Sequence, residues 1–280
     1  MVYKTMTAIE EQATEFISLT DIQAEMLNIM KDVIRFFDEQ HINYVVTGGT
    51  ALGAVRHQGF IPWDDDADIA LARDDYEFFV KHYRPGSEAW ELLSLEHTDN
   101  WYYSYARVAN THTMAVTEWA KVNNGIYIDI FPIDALPTSK FGQRVKYGQM
   151  KYLDLMRNST RRLAIRREEP YWYLKWLFIL LAKIHTTNQW ARRQSSLAKH
   201  TNAKYHRRST ARSLYVVQGI NGMREIFPTT TFDHTVFMPF EDTQVKVPAD
   251  YEKYLTQLYG DWQVIPTGEE RKSHAKFVHV

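Results

Sequence analysis

Residues 44–72 read YVVTGGTALGAVRHQGFIPWDDDADIALA, and the fold turns on how this stretch divides. Its opening, with Asn43, is the β-branched and aromatic run NYVV, which reads as a short strand. Gly48-Gly49-Thr50 is a glycine turn, and ALGAVRH continues as a helix. Gly59 and Pro62 break the chain, and DADIALA is a second strand. Asp64, Asp65, Asp66 and Asp68 place four carboxylates in five positions. On a strand, Asp64, Asp66 and Asp68 share one face. Like charges so spaced oppose folding unless something positive neutralises them. The following IALA is apolar, so the strand enters the core. Carboxylates at its edge, with no basic neighbour, point to a hard cation such as magnesium. A solvated acidic turn is the plain alternative. A calcium loop fits worse: its sixth position is Ile69 rather than Gly, and its twelfth is Asp75 rather than Glu.

Upstream, Ile22, Met26, Ile29, Val33 and Phe37 recur at helical spacing over 20–40, and Thr20 with Gln23 reads as a capping box. Downstream, DDYEFFVKHY is a helix. WELLSLEH, YSYARVA, THTMAVT and GIYIDIF read as strands, the last ended by Pro132 and Pro137. Residues 140–212 look helical, with Pro170 opening a second helix, YWYLKWLFILLAKI. TVFMPFEDTQVKVPA reads as two strands around a polar turn, and DYEKYLTQLYGDW as a helix ending near Gly260. The class is therefore α+β, a mixed sheet with flanking helices. We divide it into a catalytic core over 1–139, a basic helical subdomain over 140–212 and the C-terminal part of the core over 213–280.

Three features lend the acid cluster a chemical role. Backbone N–H groups at Gly48 and Gly49, with the Thr50 hydroxyl, can meet a phosphate at a helix start. Asp129 shares a strand face with Tyr127 and Phe131, where a lone carboxylate is tolerated only if paired or metal-bound. Arg56, between glycines and acids, can hold a phosphate or pair with an acid.

A glycine turn, an acid-x-acid strand and a later third acid resemble the DNA polymerase β-like nucleotidyltransferase superfamily. The parts fall on Gly48, Gly49 and Thr50, on Asp66 and Asp68, and on Asp129. More closely, GGTALGAVRHQGFIPWDDDADIAL resembles the signature of the LicD family of phosphorylcholine transferases and fukutin-related proteins. NGIYIDIFPIDALP is similar to its second block. PFEDTQVKVPADYEKYLTQLYGDW, followed by Pro266 and Arg271-Lys272-Ser273-His274, is similar to its C-terminal block. The resemblance implies a nucleotidyltransferase-like sheet carrying a basic helical insertion. It implies transfer of phosphocholine, or a related phospho-alcohol, from CDP-choline or another CDP-linked donor. The acceptor would be a sugar hydroxyl on a cell-surface glycan or its lipid-linked precursor. Asp66, Asp68 and Asp129 would hold magnesium, with manganese as the alternative ion, and Asp129 would be the general base. Gly48, Gly49, Thr50, Arg56, Lys272 and His274 would contact phosphate. Choline recognition would use an aromatic cage, for which Trp101, Tyr102, Tyr103 and Trp119 are candidates. The rivals are an Asp-x-Asp metal-dependent glycosyltransferase and a non-catalytic membrane-surface binding protein.

Composition bounds these readings. Hydrophobic residues make up 45% of the 280 and charged residues 24%, which excludes extensive disorder. There is no cysteine, so disulfide scaffolds, zinc fingers and iron–sulfur sites are excluded. The start is acidic and lacks an apolar h-region, and no apolar run is long enough to span a bilayer. A cytoplasmic location is expected. Net charge is −1, yet residues 140–212 hold 18 Lys/Arg against 3 Asp/Glu, and the remainder 15 against 31. The basic segment therefore faces an anionic partner. An acidic remainder and the lack of a nucleic-acid motif argue against DNA or RNA. A peripheral contact with the inner membrane face through 140–212 is the expectation.

Overall fold

The computed structural model of the chain describes residues 16–116, 125–162, 172–214, 221–268 and 276–280. Helix α1 (Leu19–Glu39) turns Ile22, Met26, Ile29, Met30, Val33 and Phe37 inward, a 3–4 spacing that lays one apolar stripe on the sheet. Phe37 sits between Tyr44 and Phe79, with ring centroids 5.3 and 5.4 Å away. Truncating it to alanine would cost roughly 3–5 kcal/mol. The cap differs from the expected one. Ser18, not Thr20, is the N-cap, accepting from the Asp21 N–H at 3.2 Å. Gln23 is thereby free for a longer reach: its amide donates to Ile61 O at 3.2 Å and Asp64 O at 2.9 Å, bracing the acidic loop.

Strand β1 (Tyr44–Val46) leads into α2 (Gly48–His57), then β2 (Asp68–Ala72) and α3 (Arg73–His82). β3 (Trp90–Leu93) and β4 (Ala106–Asn110) follow, then β5 (Thr113–Val116) and β6 (Tyr127–Ala135). The main sheet runs β1-β2-β6-β4-β3, with β7 (Ala211–Ser213) joined to the far end of β6 and β8 (Ile226–Pro228) joined to β7. β2 and β6 are parallel; the other pairs are antiparallel. From Ile128 to Ala135 every residue of β6 is buried, as expected of a central strand covered on both faces. Arg73 at the start of α3 makes a bidentate pair with Asp134 of β6, at 2.7 and 2.5 Å, locking the helix to the sheet.

Two sequence expectations are corrected. Pro132 does not end its strand. The Asp129 N–H donates toward β2, to Ala67 O, so alternation turns position 132 to the opposite edge. There, β4 has already stopped at the Ala106–Ile130 pair and β7 begins only at Asp134, so no acceptor awaits the missing N–H. The second correction is that β2 starts at Asp68. Asp64 and Asp66 lie on the loop before it, so a shared strand face does not group them with Asp68.

The basic stretch is mainly helical where described, with α4 (Lys140–Arg161), α5 (Trp172–Ala182) and α6 (Thr187–Tyr205), but its last residues turn and enter strand β7. Pro170 lies outside the described residues. Met156, Ala182 and Trp190 form a small core between these helices. The hairpin of β9 (Thr235–Phe240) and β10 (Thr243–Pro248) packs on β1 and α2. At its tip, Glu241 accepts from the Phe60 N–H at 2.9 Å, and a Cβ on Gly59 would stand 2.1 Å from that carboxylate. Helix α7 (Tyr251–Tyr259) ends at Gly260, whose φ of +72° closes it, and β11 (Lys276–His279) pairs with β5.

Candidate active site

A single hydrogen-bond register assembles the site. Parallel pairing sets Asp68 of β2 beside Asp129 of β6, and antiparallel pairing sets Arg107 of β4 on the other side of Asp129. The Thr50 hydroxyl accepts from the Asp68 N–H at 2.8 Å, and the Thr47 N–H donates to Asp68 O at 3.0 Å, tying the start of α2 to the same strand. The glycines make this approach possible. Gly48 has φ +56°, and a Cβ there would stand 3.1 Å from Asp68 Oδ2. A Cβ on Gly49 would stand 2.8 Å from Asp64 Oδ2, closer than side chains tolerate. Asp64 and Asp68 thus rest against the N-terminus of α2, where the helix dipole favours negative charge.

The carboxylates repel one another within this pocket. Burial pushes the Asp68 carboxyl well above the usual carboxylate range, and Asp66, Asp129 and Asp64 push it the same way. Asp64 is pushed up to about 8, first by burial, then by Asp66, with which it shares a hydrogen bond, and by Asp65. Asp129 is raised by burial, against the pull of Arg107. Among the described residues, no three His, Asp or Glu side chains converge at ligand spacing around one point. Their chemistry nonetheless fits a divalent cation: all-oxygen donors, buried, with excess negative charge.

Asp129 answers its own burial differently. Its oxygens accept from Arg107 Nε at 2.6 Å and Nη2 at 2.9 Å, both side chains being more than nine-tenths buried. The guanidinium is stacked, 3.4 Å from the Tyr127 ring centroid and 4.9 Å from that of Tyr103. Two tyrosines of α7 close the other side. The Gly48 N–H donates to the Tyr254 hydroxyl at 3.1 Å. The Tyr259 hydroxyl lies 3.8 Å from where a Gly48 Cβ would be, and its acidity is suppressed by burial and by Asp68.

The other expected residues fall as follows. Gly48 lies against Asp68 and Gly49 against Asp64, Asp129 is in register beside Asp68, and Asp66 acts on Asp68 electrostatically, while Thr50 spends its hydroxyl on the Asp68 N–H. Arg56 lies eight residues along α2, about 12 Å from Gly48 at 1.5 Å per residue. Its Nη1 donates to Trp262 O at 2.8 Å and Val264 O at 3.3 Å, so it anchors the segment after α7. Lys272, His274 and Trp119 lie outside the described residues. Trp101 is buried and donates its indole N–H to Tyr105 O at 2.9 Å. Tyr102 has Arg161 4.1 Å from its ring centroid, and Tyr103 has Arg157 at 5.3 Å. Protein guanidinium groups therefore already face these rings.

Sequence reasoning missed Gln23, Arg107, Tyr254 and Tyr259, and left Asp64 out of the ligand set. Arg107 had a signal, a lone cation within the apolar run YARVA, but its partner depends on strand order.

Residues 41–163 match the family model described as LicD/FKTN/FKRP, nucleotidyltransferase domain. The chain carries a LicD-family domain. That LicD region contains the glycines, the acidic loop, Arg107 and Asp129, whereas Gln23, Tyr254 and Tyr259 lie beyond it. Similarity to one LicD protein continues across nearly the whole chain. The lipopolysaccharide cholinephosphotransferase LicD of Haemophilus influenzae is 28% identical over 273 residues, covering 92% of this chain and 96% of that protein. An uncharacterized protein of Rickettsia prowazekii is 29% identical over 150 residues, 54% of each chain. Another, from Rickettsia typhi, is 46% identical over 50 residues, 18% of this chain and 16% of its own.

Proposed function

We propose that the protein transfers phosphocholine, or a related phospho-alcohol, from a CDP-linked donor to a sugar hydroxyl of a cell-surface glycan or its lipid-linked precursor. The observation that carries this reading is the grouping of Asp64, Asp66 and Asp68 against the glycine start of α2, with Asp129 in register beside them. In the transfer, the acceptor oxygen bonds to the phosphorus bearing the alcohol. The bridging oxygen leaves with CMP, and the hydroxyl proton passes to a base. A magnesium or manganese ion held by Asp66 and Asp68, with Asp64 beside them, would stabilise charge on the diphosphate. The N–H groups of Gly49 and Thr50 have no acceptor within their own helix and are placed for phosphate oxygens. Asp129, held by Arg107, is the carboxylate we assign to the acceptor proton; Arg107 fixes its orientation and opposes the upward push of burial on its carboxyl.

The test is a panel of CDP-linked donors with magnesium or manganese, read by CMP release. CMP should form from CDP-choline or a related donor, and Asp68→Asn should abolish it while circular dichroism stays unchanged. Asp129→Ala should lower kcat at least about 100-fold; a change confined to KM would make Asp129 a binding residue. Turnover of a nucleotide sugar instead would favour the glycosyltransferase reading. A fully active Asp68→Asn enzyme would sink the assignment.

A further inference from the structure

Helix α4 is apolar on a face it does not bury. Its buried residues are Gln143, Met150, Met156 and Arg157, with Met156 packed against Ala182 and Trp190. Phe141, Val145, Tyr152 and Leu155 stand roughly opposite Gln143, Met150 and Arg157, at spacings of 4, 7 and 3; all are exposed, Phe141 by 78%, and Tyr152 borders the helix core with its ring edge-to-face with Trp190. At 3.6 residues per turn these positions form one stripe along the helix. α5, which packs against α4, repeats the pattern. Ile179 and Ala182 face inward, while Trp176, Leu180 and, just past the helix end, Ile184 follow one another at i, i+4 and i+8, exposed by 47, 58 and 68%. Isolated exposed apolar side chains are ordinary, but two stripes on adjoining helices mark an interaction surface.

Charge decides what that surface meets. Residues 140–212 carry a surplus of 15 positive charges, and Lys140, Arg144, Lys183, Arg192 and Arg193 are exposed within or beside the striped helices. A second copy presented face to face would oppose one surplus with another. A bilayer with anionic headgroups accommodates both features, with apolar side chains entering the acyl boundary and Lys/Arg remaining among the phosphates. Trp176 suits the interfacial depth. Among the described residues no helix is long and apolar enough to cross a membrane, so this surface would lie on the bilayer.

We propose that α5, with the outward stripe of α4, docks the protein onto an anionic lipid bilayer. The inference is independent of the proposed transfer reaction, because none of these residues belongs to the acid pocket. The test is co-sedimentation of the full chain with vesicles of phosphatidylglycerol in phosphatidylcholine and with vesicles of phosphatidylcholine alone. Binding should favour the anionic vesicles at low salt and weaken at least about tenfold at high salt. Leu180→Ser/Ile184→Ser should weaken it about 100-fold, from two half-exposed side chains no longer buried. A second variant, Lys140→Gln/Arg144→Gln/Lys183→Gln, alters only exposed charges. It should keep the wild-type unfolding transition and also bind about 100-fold more weakly. Three outcomes would overturn the proposal: no binding to anionic vesicles at low salt, equal binding to both vesicle types, or charge-variant binding equal to wild type. Dissociation of a dimer by the Leu180/Ile184 variant would reassign the stripe to self-association and overturn it too.

Discussion

Replacing Arg107 with methionine should nearly unfold the metal-free protein. The substitution removes both donors to Asp129, at 2.6 and 2.9 Å, and leaves a carboxylate in a strand buried on both faces. Breaking a buried ion pair by removing one partner costs about 3–5 kcal/mol, because the other charge is stranded. Loss of the guanidinium between Tyr127 and Tyr103 adds about 0.5–2 kcal/mol. Total stabilities run about 5–15 kcal/mol, so a large fraction is at stake. The cost should also depend on pH. Arg107 is what holds the Asp129 carboxyl down against burial and Asp66, and its removal raises that carboxyl further. A carboxyl raised in the folded state contributes its stability below the unfolded value and loses it as pH rises through the folded one. The deficit should therefore widen as pH rises above the ordinary carboxylate range. Urea unfolding in the presence of a chelator, followed by circular dichroism, measures both effects. Arg107→Met/Asp129→Leu removes both charges and should recover most of the loss. A single variant within about 1 kcal/mol of wild type, or a double variant no more stable than the single, would refute the argument.

Asp64→Asn should stabilise the metal-free protein by at least about 1 kcal/mol near pH 8 and have little effect near pH 4. The reason is that Asp64 is raised to about 8 when folded, so wild type loses stability across that interval; calorimetry at the two pH values checks it. Gly48→Ala should cost about 1–2 kcal/mol from its left-handed backbone, and Gly49→Ala should displace Asp64 and depress CMP release more than stability, measured by parallel melting and turnover. Arg56→Met should free the Trp262 and Val264 carbonyls at a cost of about 1–2 kcal/mol. It should raise amide exchange around 262–264 while leaving donor KM nearly unchanged; a large rise in KM would return Arg56 to the phosphate site.

What could be read from the chain was what local pattern determines. The α1 stripe, the strand–glycine–helix unit and the β9–β10 hairpin follow from apolar periodicity and turn chemistry, and each lies where the sequence places it. Pro132 misled because its tolerance depends on which neighbours flank β6, a property of strand order rather than of the strand. The acidic loop was legible as a cluster, but its geometry was not. Asp64 and Asp66 approach Asp68 through a loop braced by Gln23, 41 residues away from the carbonyl it holds at Asp64. Tyr254 and Tyr259 were equally out of reach, since on α7 they look like the apolar side of an ordinary amphipathic helix. Arg56 was assigned by its nearness in sequence to the acids, whereas the helix it sits on carries it away from them.

The brace from Gln23 and the contact from Tyr254 have a practical consequence for anyone cutting the gene. The segment recognisable by kinship, 41–163, is not a piece that can be lifted out intact. Excised there, the loop loses its tie to α1, the Gly48 N–H loses its acceptor, and β5 is left as a bare edge without β11. An evolutionary unit and a mechanical one need not share borders. Here the residues proposed for the chemistry lie in the middle of the chain, and segments from its two ends hold them in place.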